Sequence, residues 1–90
     1  MEAGAHIIVR GLVQGVGFRY YVSTRANRLQ LRGFVTNLLN GEVEIMVEGD
    51  RSAIESLISD VKVGPRSAQV RDLTIEWTEP TYRYDRFSIH

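Results

Sequence analysis

The apolar positions change period along this chain, and the changes set out its elements. Ile7, Ile8 and Val9 form a short apolar run within His6 to Gly11, a strand of the buried central kind. Met1 to Ala5 ahead of it is expected to be a short mobile lead-in. From Phe18 to Leu29 the period becomes helical, with Phe18, Val22, Ala26 and Leu29 recurring at four, four and three. Arg25, Asn27 and Arg28 fall on the other side, as a solvated face. Arg32 to Leu38 is rich in β formers, and Asn40-Gly41 is a strong hairpin signal. Glu42 to Glu48 then alternates, with Val43, Ile45 and Val47 on one side and Glu42, Glu44 and Glu48 on the other. Gly49-Asp50 ends that strand, and Asp50 is placed to cap a second helix carrying Ile54, Leu57, Ile58 and Val61, which Gly64-Pro65 stops. Gln69 to Thr78 reads as a long strand with Leu73, Ile75 and Trp77 on one face. Glu79-Pro80 breaks it, and Asp85 to His90 supplies a last short strand. Trp77 and the four tyrosines are most economically core or sheet-surface aromatics.

The order is β-α-β-β-α-β plus a short C-terminal strand. That is an α+β class, a ferredoxin-like split βαβ sandwich with two helices on one face of a mainly antiparallel sheet. The first two strands of such a fold run parallel with the third between them, so their ends emerge on one edge roughly 10 Å apart. The loop after the first strand therefore faces Asn37 at the end of the second. Asn37 shares its side of the strand with Gly33 and Val35, so it points to the helices if Val35 does.

Ninety residues support one domain, expected to span 1–90. Lys plus Arg and Asp plus Glu are both 11. That balance gives no global electrostatic case for nucleic acid or an acidic membrane surface, so any anion selectivity must be local. The absence of cysteine removes a disulfide framework, a thiolate nucleophile and a cysteine metal site. No apolar run approaches the roughly 20 residues of a membrane span, and no signal-like segment opens the chain. A cytoplasmic monomer is expected.

One stretch carries chemistry. Gly11-Leu12-Val13-Gln14-Gly15-Val16-Gly17-Phe18-Arg19 holds three of the eight glycines and joins the first strand to the first helix. Glycines let successive main-chain N–H groups converge, and a helix start adds unpaired N–H groups and partial positive charge. Together these make an anion seat. Arg19 adds a planar fork that matches phosphoryl oxygens at any working pH. On these residues alone, a plain strand-to-helix turn with a solvated Arg19 is an equal reading. Position 20 is tyrosine, so no G-x-G-x-x-G is completed, and no G-K-[ST] occurs. Asn37 taken singly is a turn-entry residue, and only its pairing with the loop gives it a chemical role. His6, with no second histidine or paired carboxylate near it in sequence, reads as a strand-edge residue.

These motifs closely resemble the acylphosphatase family, small enzymes that hydrolyse the carboxyl–phosphate bond of acyl phosphates. The resemblance lies in GLVQGVGFR at 11–19 and GFVTN at 33–37, and extends through NGEVEIMVEG at 40–49, Gly64-Pro65 and Phe87-Ser88-Ile89. It implies that Arg19 is the phosphate-binding arginine and that Asn37 orients the attacking water. It further implies that the main chain of Gln14, Gly15, Val16, Gly17, Phe18 and Arg19 is the phosphate cradle. A small acyl phosphate is the implied substrate, with inorganic phosphate as product and competitive inhibitor and with no metal or cofactor. Two departures stand out: Gln30 where the family commonly has a glycine ending the first helix, and Phe34 where tryptophan is frequent.

The chemistry suits such a sparse site, because a carboxylate is already a weak base and leaves without protonation. Positioning and charge stabilisation then do most of the work. Ser23 and Thr24 lie one turn into the helix, so no phosphoenzyme is expected. Two other classes compete. Arg32-Gly33-Phe34-Val35 faintly echoes an RNA-binding motif, but on the wrong strand and without a basic surface. A non-catalytic or regulatory domain, or a piece of a larger enzyme such as the hydrogenase-maturation carbamoyltransferases, has the same fold. A chain running from Met1 to a sheet-completing strand leads us to expect a free-standing enzyme.

Overall fold

A computed structural model describes all 90 residues. The elements are β1 (Glu2–Leu12), α1 (Phe18–Arg28), β2 (Arg32–Asn37), β3 (Val43–Asp50), α2 (Arg51–Val63), β4 (Gln69–Thr78) and β5 (Phe87–Ile89). The sheet order is β4-β1-β3-β2-β5, with β5 parallel to β2 and every other pair antiparallel. β3 thus lies between β1 and β2, as the expected ferredoxin-like topology requires, and the β1–α1 loop and the end of β2 share one edge.

Both helices pack on one face. Ala5, Ile7 and Val9 of β1, Val35 of β2 and Val43, Ile45 and Val47 of β3 meet Phe18, Val22 and Ala26 of α1 and Ile54, Leu57 and Val61 of α2. All of these but Phe18 are fully buried. The alternation in β3 and the 3.6-residue spacing in both helices are what point these side chains inward.

The lead-in is a correction. Glu2 to Ala5 continue β1, in register with Asp50 to Val47 of β3. Ala3 and Ala5 carry little apolar bulk, so periodicity misses them, yet both are buried. Gly4 is small because a Cβ there would lie 2.5 Å from Thr78 Oγ1 on β4. The N-terminal ammonium then reaches Asp50 at 3.0 Å. His6 is likewise not at an edge. It sits in a central strand, and its Nε2 is 2.7 Å from Glu44 Oε2, a carboxylate 38 residues away in sequence.

The expected solvated face of α1 is also corrected in part. Arg25 lies over the Tyr21 ring at 3.5 Å and places Nε 3.8 Å from Asp60 of α2, so it joins the helices. Glu48 departs most. On the polar side of β3, it is nonetheless fully buried, because the segment after β4 crosses the open face of the sheet. The carboxylate accepts from Thr81 N, Thr81 Oγ1 and Tyr82 N at 2.8, 2.8 and 3.0 Å.

Two turns explain their sequences. Leu38 N donates to Glu42 O, and Gly41, at φ 95°, turns the chain between them. At the end of α1, Gln30 adopts φ 60°, with Gln30 N donating to Asn27 O and Leu31 N to Ala26 O. That is a Schellman termination with glutamine in the left-handed position glycine usually takes, and a non-glycine residue there costs about 1 kcal/mol.

Candidate active site

β1 ends in a loop whose shape its glycines determine. Gly15 and Gly17 have φ of 74° and 78°. A Cβ on either would touch nothing within 4 Å, so the left-handed backbone and not crowding calls for glycine here. Gly17 is the N-cap of α1 and offers no side-chain cap, and the first turn carries no acidic residue. None of the main-chain N–H groups from Gly15 to Tyr20 donates to another group of the chain. They form an array of unpaired donors at the positive end of a helix.

Gln14 does something the sequence does not announce. Its Nε2 donates to Leu38 O and Glu42 O, both at 2.8 Å, and ties the loop to the β2–β3 turn. Val16 packs its side chain against the core. Neither lines the pocket of about 210 Å³ at this edge, whose walls are Val13, Gly15, Gly17, Phe18, Arg19, Tyr20, Asn37 and Ile89. Four of the six expected cradle residues and Asn37 are therefore brought together around one cavity.

Arg19 is the only charged side chain on that wall. Its Nη1 donates to the main-chain oxygen of His90 at 2.9 Å, which leaves its other guanidinium N–H groups for a ligand. Asn37 shares the side of β2 with the fully buried Val35, as alternation predicts. Its Oδ1 is the one buried side-chain polar atom of the chain without a hydrogen-bond partner. A buried acceptor left without a donor costs about 1–3 kcal/mol, a cost with no return in folding.

No histidine or carboxylate lines the pocket. The His90 ring turns to the open face of the sheet, where it stacks on Phe34 with centroids 4.7 Å apart. His6 is on the same open face, engaged with Glu44. Sequence reasoning missed Val13, Tyr20 and Ile89 as lining residues. Tyr20 in particular is neither core nor sheet surface but projects from α1, 72% exposed, beside the cavity. Ile89 reaches it because β5 runs parallel to β2 with Ile89 opposite Val35, two residues before Asn37. A residue count shows no such register.

The acylphosphatase family model matches residues 5–89. The acylphosphatase of Chloroflexus aurantiacus is 45% identical over 85 residues, covering 94% of this chain and 92% of that one. That of Moorella thermoacetica is 43% identical over 76 residues, covering 84% and 82%. The crystal structure of acylphosphatase from Bacillus subtilis superposes with a TM-score of 0.94 at 40% identity, over 100% of this chain and 99% of that one. A match across nearly the whole chain, on a fold that brings both motifs to one edge, means that this chain belongs to the acylphosphatase family and that its activity is the hydrolysis of acyl phosphates.

Proposed function

We propose that the pocket holds the phosphoryl group of a small acyl phosphate against the loop of residues 14–19, with Arg19 and Asn37 as the catalytic side chains. The unpaired N–H array from Gly15 to Tyr20, converging with one guanidinium, is the observation that carries this reading. Donors and a cation attract the phosphoryl oxygens and repel a metal ion, so the reaction proceeds without one. As the bond to the carboxylate lengthens, charge on the equatorial oxygens is met by donors already in place. Asn37 accepts from a water and donates to the phosphoryl group, which sets the line of attack. A carboxamide and a guanidinium are not proton acceptors, so the substrate's own phosphoryl oxygens receive the proton of the water. Inorganic phosphate presents the same oxygens and acts as product and competitive inhibitor. A single domain, supported by one contiguous apolar cluster, belongs to the same proposal. So do a monomer and a cytoplasmic setting.

The test follows from what the pocket lacks. An alkyl phosphate monoester leaves as an alkoxide and needs a general acid, whereas an acyl phosphate leaves as a carboxylate. In the presence of EDTA, acetyl or benzoyl phosphate is hydrolysed and an alkyl monoester is not, although the monoester inhibits weakly and competitively. Comparable turnover of both classes, or activity that returns only on adding Mg²⁺ or Zn²⁺, overturns the mechanism.

A further inference from the structure

Beside the N–H array and Arg19, the wall of the pocket has an apolar part with a character of its own. Tyr20 and Ile89 are the two exposed apolar side chains on the wall, 72% and 45% accessible. Tyr20 follows Arg19 and Ile89 precedes His90, so both flank the contact between Arg19 Nη1 and His90 O. Neither is accounted for by the fold. The Tyr20 ring stacks on no other aromatic ring and lies under no cation, and its hydroxyl makes no hydrogen bond. Ile89 stands on the edge strand, on the same face as Phe87 but outside the buried cluster. Exposed apolar groups scattered singly need no explanation, but two converging on the mouth of a polar cradle do.

Chemistry decides what meets them. With the phosphoryl oxygens in the N–H array, the bridging oxygen and the acyl group point to the mouth. There the acyl group finds a phenol ring and a branched aliphatic chain, and no second cation, since Arg19 is the only charged residue lining the pocket. We propose that Tyr20 and Ile89 form an acyl subsite selecting aryl and branched-alkyl acyl phosphates. Acetyl phosphate and acyl groups bearing a further carboxylate are disfavoured. This rests on the placement of the phosphoryl group argued above.

The experiment compares kcat/KM for isobutyryl, benzoyl, succinyl and acetyl phosphate. Isobutyrate and acetate are bases of nearly equal strength, so that pair separates acyl contacts from leaving-group reactivity. The wild-type protein favours isobutyryl and benzoyl over acetyl phosphate by about tenfold, as expected when an apolar wall receives two or more extra carbons, and succinyl phosphate is the poorest. Tyr20→Ala and Ile89→Ala each lower the apolar-to-acetyl ratio about fivefold through KM, and Tyr20→Phe restores it because the ring and not the hydroxyl makes the contact. Tyr20 is exposed, and an unchanged thermal midpoint shows that its variants fold. Hydrolysis of all four substrates with no apolar preference, or a ratio untouched by both alanine variants, overturns the subsite alone. Absence of hydrolysis of every acyl phosphate overturns the phosphoryl placement as well.

Discussion

A guanidinium anchored at one nitrogen and open at the others does what an ammonium does not. Arg19 uses Nη1 on His90 O, and the fork so held presents its remaining N–H groups in a fixed plane. Lysine at this position has a single charge centre for both tasks. Arg19→Lys is therefore expected to lose about 100- to 1,000-fold in kcat, on the order of 3–4 kcal/mol of transition-state stabilisation, with an unchanged thermal midpoint. Near-native turnover in a folded Arg19→Lys protein removes Arg19 from the role given to it. Asn37 separates chemistry from stability in another way. Its Oδ1 is buried without a partner, so Asn37→Ala relieves an unmet acceptor. The variant is expected to be at least as stable as the parent while its turnover collapses, with the inhibition constant for inorganic phosphate within about twofold if its task is to place water. Turnover retained at saturation together with lost phosphate affinity makes Asn37 a binding residue instead.

Elements with a strong period were legible in the sequence, and elements built on close approach were not. Both helices announced themselves because Phe18, Val22 and Ala26, and Ile54, Leu57 and Val61, must repeat to reach the core. The first four residues of β1 gave no such signal, since the approach of Thr78 requires Gly4 to be small. The two sides of the pocket formed by the loop and β2 could be foreseen from topology, because the position of β3 between β1 and β2 follows from the order of elements. The third side could not. β5 is three residues long and pairs at an edge, and nothing local states that Ile89 stands opposite Val35. Glu48 shows the same blindness on the other face. Alternation correctly directs it away from the helices, but only the path of residues 79–86 decides that this direction is buried. Gln30 marks a third kind of gap, for its left-handed backbone is imposed by the α1–β2 connection against the residue's own preference.

At the scale of the whole molecule, the last residues of β3 tie down both ends of the chain. Asp50 accepts from the N-terminal ammonium and from the Ser52 hydroxyl and main chain, while Arg51 N donates to Met1 O. Glu48, two residues earlier, holds Thr81 and Tyr82, from which the chain runs to β5 and on to the His90 oxygen that restrains Arg19. Both carboxylates are shifted the same way. The Ser52 hydrogen bond and then the ammonium bring Asp50 down from 3.8 to about 2. Burial pushes Glu48 up, but the Thr81 and Tyr82 donors and the charge of Arg32 outweigh it and leave it below its ordinary 4.5. A carboxylate held lower in the folded than in the unfolded chain contributes stability that is complete above its unfolded value and is lost as the pH falls through its folded one. The thermal midpoint is therefore expected to be level from pH 7 to about 5 and to fall below that as Glu48 and Asp50 take up protons, with the Asp50 contribution fully lost only as the pH passes about 2. Glu48→Gln places an amide against three N–H and O–H donors. It is expected to lower stability at pH 7 by roughly 2–4 kcal/mol and to make the acid limb shallower, because one of the two carboxylates that titrate there is gone. Thermal melts of the two proteins at pH 3, 4, 5 and 7 decide the matter: parallel curves across that range would mean that Glu48 is not the carboxylate whose protonation releases the C-terminal segment.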